Sequence, residues 1–151
     1  MSDTDVREWL GRFADASSDA PVTRVHFSVG MTLMVDLGTP NRLGRKGQTI
    51  TQLSAFLGYE WFISDAESAA LRSSRAVTRE YVQSQLLGSV LEHAELTRSG
   101  DLELVFSSGA RFRTGAVEEN PSEPYEPDWF MKNEHESSGT VYLEAEGLHS
   151  G

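Results

Sequence analysis

Between positions 90 and 114 three short runs of alternating residues are separated by glycine turns, and turn length there decides which side chains face one another. In LELVFSSGARF a three-residue turn at Ser107, Ser108 and Gly109 pairs Phe106 with Ala110 and Leu104 with Phe112, so apolar partners share a face. A two-residue turn would set Leu104 against Arg113. The preceding turn, Arg98, Ser99 and Gly100, repeats the logic by pairing Leu96 with Leu102 and Ala94 with Leu104. A three-stranded antiparallel meander follows, with Gly100 and Gly109 at positive φ. Its inner face is Ala94, Leu96, Leu102, Leu104, Phe106, Ala110 and Phe112; Glu103 stands opposite Arg113 outside.

The rest of the chain reads around this meander. Asp5 and Glu8 have the spacing of a cap with its N3 carboxylate, and Val6, Trp9, Leu10 and Phe13 follow on one helical face. ASSDAP ends that helix. From Val22 the period becomes two: Val25, Phe27 and Val29 lie on one face, then Met31, Leu33, Val35 and Leu37, which predicts a hairpin over 22–37 with Gly30 between its arms. GTPNRLGRKG reads as a loop, with three Gly, one Pro and one Asn. YEWFI (59–63) is a short strand, Ser64 with Glu67 a helix cap, and 65–87 a helix bent near Ser73 and Ser74 with Gly88 just past its end. On that helix Arg72, Arg75 and Arg79 form a basic stripe, either an anion site or, in the plainer reading, a solvated face. Thr140 to Glu144 alternates as a last strand before a polar tail, GLHSG.

Charge is distributed unevenly. The 151 residues carry a formal −10, and there is no cysteine, which excludes disulfides, thiolate metal sites and thiol nucleophiles. Residues 1–114 hold 14 acids and 12 bases, whereas 115–151 hold nine acids and only Lys132, so the last quarter carries most of the field. Such a balance disfavours a nucleic-acid backbone or an anionic membrane and favours a basic protein partner. Within that quarter, Pro121, Pro124 and Pro127 forbid regular structure before Asp128, and Tyr125, Trp129 and Phe130 are interleaved with the carboxylates. The candidate partner-binding residues are therefore Glu118, Glu119, Glu123, Tyr125, Glu126, Asp128 and Trp129. A proline-stiffened stretch loses little entropy on binding.

Catalytic patterns are sparse. His26, His93, His135 and His149 show no metal-ligand spacing, and on an extended segment Glu134 and Glu136 point away from His135, so no metal or other cofactor is expected. The glycines form neither GxGxxG nor a P-loop, and no serine stands in GxSxG or SxxK. A non-enzymatic chain is the expectation. With no run of 18 apolar residues and an acidic start, MSDTDVREWL, a cytoplasmic location is expected.

The helix end at Leu87 and Gly88, the strand LEHAEL, the string SGDLELVFSSGARF and the YExxW-like Tyr125, Glu126 and Trp129 together resemble a family of small uncharacterised bacterial proteins, common in actinobacteria. Their domain of unknown function has a strand, GxLxLxFxxGxxL and a YEAW element. VTRVHFSVGMTLMVDLG is similar to their opening hairpin, so the resemblance spans most of 22–132. This chain departs in its amino-terminal helix, the Arg-bearing stretch at 65–80, and YEPDW in place of YEAW. The resemblance implies an antiparallel meander with a helix and no catalytic motif. More loosely, such proteins resemble immunity proteins encoded beside bacterial toxins.

The expected fold is α+β: an antiparallel β-meander with one or two helices packed against it and a short amino-terminal helix. One domain covers 1–151, with 1–21 a helical extension, 22–114 the sheet and helix core, and 115–151 an acidic covering segment and last strand. The expected function is neutralisation of a basic toxin domain through the acidic face. The alternatives are a small enzyme or ligand-binding domain with a pocket under 115–136, or an acidic assembly domain.

Overall fold

In the amino-terminal fourteen-residue helix α1 (Asp3–Ala16), Val6, Trp9, Leu10 and Phe13 recur at helical spacing, and all four are buried. The computed structural model describes residues 3–28, 30–43, 49–58, 60–97, 101–114, 129–133, 140–144 and 147–150. Because α1 begins by Asp3, Asp5 lies in its first turn rather than at its cap, where a carboxylate still suits the positive end of the helix dipole. Far from being an extension, α1 belongs to the core. Its end is pinned by buried Ser17, whose single hydroxyl proton is shared between Ala14 O at 2.8 Å and Leu91 O at 3.1 Å.

The strands are β1 (Val22–Phe27), β2 (Leu33–Leu43), β3 (Thr49–Leu57), β4 (Trp61–Ser64), β5 (Arg72–Ser73), β6 (Leu91–Leu96), β7 (Leu102–Phe106), β8 (Arg111–Thr114), β9 (Trp129–Asn133), β10 (Thr140–Glu144) and β11 (Gly147–Ser150). A second helix, α2 (Arg79–Leu86), precedes β6. Two antiparallel sheets result, with orders β1-β2-β3-β9-β10-β11 and β5-β4-β8-β7-β6. The fold is mixed α+β and mostly strand. Inward residues of both sheets and of both helices form one apolar cluster.

The meander forms as turn length dictates. Leu96 pairs with Leu102, Ala94 with Leu104 and Leu104 with Phe112, and all seven inner-face residues are buried. Gly109 has φ +92°; Gly100 lies outside the described residues. Glu103 faces Arg113 at 2.7 Å. The hairpin β1–β2 also forms, with Val25 opposite Val35, Phe27 opposite Leu33, and Gly30 at φ +65°.

Four expectations are corrected. First, GTPNRLGRKG is not wholly a loop, because β2 runs on through Leu43 and pairs with β3. The β1 partner ends at Leu37, so Pro40 sits where β2 has a neighbour on one side only, between two register irregularities, an edge position that tolerates proline. Second, the region 65–78 is not α-helical: it holds the two-residue strand β5 and a single 3-10 turn, Ser74–Ala76. Ser64 ends β4, and the following carboxylate does the capping: Asp65 Oδ1 accepts from Glu67 N and Ser68 N, each at 2.9 Å. The true cap is Thr78, whose hydroxyl accepts from Tyr81 N at 3.1 Å. Third, the segment ahead of the last strand is not wholly an irregular cover: Trp129–Asn133 forms β9, an interior strand of the first sheet between β3 and β10. Fourth, the polar tail supplies β11, paired with β10.

Candidate functional site

Along β2, β3 and β9 side chains alternate between the shared core and the outward face of the six-stranded sheet. Leu33, Leu57 and Trp129 form one inward row, and Val35, Ala55 and Met131 the next; all six are buried. The register therefore places Met34, Phe56 and Phe130 side by side on the outward face. All three are partly exposed and stand apart from the core cluster. Phe56 and Phe130 are stacked, with ring centroids 5.0 Å apart and planes 11° from parallel. The row continues at register positions His26 on β1 and Tyr142 and His149 on β10 and β11. Arg24, Asp36, Ser54 and Lys132 make the neighbouring row.

An outward sheet face is ordinarily polar, and single exposed apolar side chains on it are common. Three adjacent ones, two of them stacked phenylalanines, are an apolar strip bounded by a polar row. Such a strip offers flat π faces and a thioether for contact, and it has no acid–base or nucleophilic chemistry of its own.

A second cluster joins the loop after β4 to α2. Asp65 Oδ2 accepts from Tyr81 Oη in a short hydrogen bond and from Arg72 at 3.4 Å, while the Arg72 guanidinium lies 4.7 Å from the centre of the Tyr81 ring. The Tyr81 hydrogen bond, with those from Ser68 and Glu67 and the Arg72 charge, holds the Asp65 carboxyl below its ordinary value. Desolvation and the Asp65 hydrogen bond push Tyr81 up. Each group is thus held in the protonation state that suits its partner. The carboxylate is engaged by four donors and the phenol proton by the carboxylate, so the cluster acts as a latch between loop and helix.

The basic stripe dissolves in the same region. Arg72 lies on β5, Arg75 in a single 3-10 turn and Arg79 at the start of α2, so no one helix aligns them. Each has its own partner: Asp65 for Arg72, Glu60 for Arg75 at 3.7 Å, and Gly30 O for Arg79 at 2.7 Å, with Arg79 also 5.3 Å from the centre of the Phe27 ring.

Of the residues the sequence nominates for partner contact, Glu118, Glu119, Glu123, Tyr125, Glu126 and Asp128 lie outside the described residues, as does His135. Trp129 is placed, and it is corrected: it is fully buried opposite Leu57, so it packs the core and presents no surface to a partner. Its neighbour Phe130 is the outward one. His26 and His93 lie in different sheets. Sequence reading missed β3 and with it Phe56, although Leu53, Ala55 and Leu57 alternate there with Phe56 out of phase.

No family model matches the chain, and neither a curated protein nor a solved structure does.

Proposed function

We propose that this chain is a non-catalytic, cytoplasmic protein-binding domain of the immunity-protein kind, which neutralises a basic toxin domain. The observation that carries the reading is the joining of two features in one stretch: the proline-stiffened carboxylates Glu118, Glu119, Glu123, Glu126 and Asp128 run directly in sequence into β9, whose Phe130 belongs to the outward strip. Carboxylates raise the rate of encounter with a cationic partner, and aromatic side chains supply affinity once it has docked.

The test is growth rescue. The protein encoded beside this gene is expressed through its carboxyl-terminal domain, with and without this chain. Arrest relieved by co-expression supports the reading, and arrest that persists with both proteins soluble overturns it. In the purified pair, charge reversal at Glu119, Glu123 and Asp128 should slow association and flatten its dependence on ionic strength.

A second reading, a small-molecule site beneath 115–136, has one observation in its favour. The indole N–H of buried Trp129, where that segment enters β9, has no hydrogen-bond partner among the described residues, as is also true of Trp9 on α1. A ligand carbonyl or carboxylate reaching that N–H would satisfy it.

A further inference from the structure

We infer that the outward strip Met34, Phe56 and Phe130 is the docking surface for that partner, and that the partner is a folded protein presenting arginine or lysine side chains across the phenylalanine stack. The inference rests on the binding reading and deepens it by naming a face and the chemistry that meets it.

Position within the sheet excludes one mode of recognition. The three residues lie on β2, β3 and β9, each flanked by paired strands where the strip crosses it, so no free backbone edge is offered there and a partner meets side chains alone. That geometry suits a convex protein surface and not an added strand. Sign follows from charge. A net −10 repels a second copy of this chain and an anionic membrane, and it draws in a cationic protein. Arg24 and Lys132 occupy one flank of the strip, with Asp36 between them in the register, so the attraction comes from the field of the whole chain rather than from that row. The local contribution is the rings themselves. Aromatic faces attract cations, and the aliphatic stem of arginine or lysine covers apolar surface such as Met34 while its head engages the stack.

The test is photo-crosslinking in the native cell. Benzoylphenylalanine, close to phenylalanine in shape, replaces Phe56, Phe130 or, as the control on the other sheet's outward side, exposed Arg111 in separate variants. The expected result is capture, from positions 56 and 130 and not from 111, of one protein whose crosslinked domain is strongly basic. Phe130→Ser, introduced beside the photoreactive group at position 56, should then reduce that capture by about 30-fold, the loss of a 2 kcal/mol anchor. Capture of the same basic protein from position 111 alone overturns the surface and leaves the binding reading standing. A second copy or an acidic protein captured at 56 and 130 overturns the occupant, and no basic protein from any position overturns the binding reading too. If Phe130→Ser lowers the melting temperature, Phe130→Leu, which keeps apolar volume and removes the π face, is read instead: unchanged capture overturns the cation–stack contact.

Discussion

A Cβ on Gly109 would lie 2.6 Å from the Cβ of Ala66, and 3.1 and 3.2 Å from the Ala66 Cα and N. The tip of the β7–β8 turn thus rests against the loop after β4, and Gly109 also holds φ +92°. Gly109→Val meets both obstacles, and a loss of about 2 kcal/mol or more in urea unfolding is expected. Pairing it with Ala66→Gly should recover part of the loss, since the Cβ contact goes while the backbone contacts and the positive φ remain. A change within about 0.5 kcal/mol for Gly109→Val would contradict this placement.

Tyr81→Phe should lower stability at neutral pH, with a pH signature on both sides. Asp65 is depressed in the fold, so its contribution is present above its ordinary value of 3.8 and is lost as pH falls through the folded value. Tyr81 is raised, so its contribution is complete below 10.0 and is lost as pH climbs through the folded value. The wild-type lead over the variant should therefore be level between those limits and shrink outside them. Melting curves across the range decide it; a lead that stays level at both ends would mean that the hydrogen bond is not what holds the latch.

The Glu103–Arg113 contact, at 2.7 Å with side chains 12% and 41% exposed, is shared with Arg111 at 3.5 Å. Solvent around the half-exposed Arg113 guanidinium keeps its worth small. A double-mutant cycle with alanine at both positions should give a coupling of about 0.2 to 1 kcal/mol that falls in high salt. Removing Arg113 alone should cost little, because Arg111 keeps the carboxylate paired.

All three tryptophans, Trp9, Trp61 and Trp129, are at most 2% exposed. Native fluorescence should be blue-shifted and resistant to iodide, becoming red-shifted and quenchable only on unfolding. Trp129→Ala should destabilise the fold by about 3 to 5 kcal/mol, the cost of emptying a buried aromatic site. A quenchable native signal lost in that variant would restore Trp129 as a surface anchor.

The meander was legible because two local constraints, turn length and apolar parity, agree on one register within 25 residues of chain. Elsewhere a local signal had two structural meanings. Ser64 and Glu67 have capping-box spacing, yet Asp65 between them takes the Glu67 and Ser68 amides in a turn, which no spacing rule separates from a helix start. Three arginines at helical spacing form no stripe without a helix. The outward strip was illegible for a different reason: Phe56 meets Phe130 only through the pairing of β3 with β9, and nothing near either residue announces that pairing.

Strand order also dictates a sequence of events in folding. The five strands of the second sheet are contiguous in the chain, β4 to β8, whereas the first sheet joins β1–β3 to β9–β11 across that entire interval. Contacts between neighbouring hairpins form quickly, and those that close a long loop form late. Until Trp129 to Asn133 arrive, the β3 edge from Leu53 to Leu57 is an unpaired template beside uncovered leucines, open to the wrong strand from another molecule. A chain interrupted before β9 would therefore fail by aggregation, not by loss of one face.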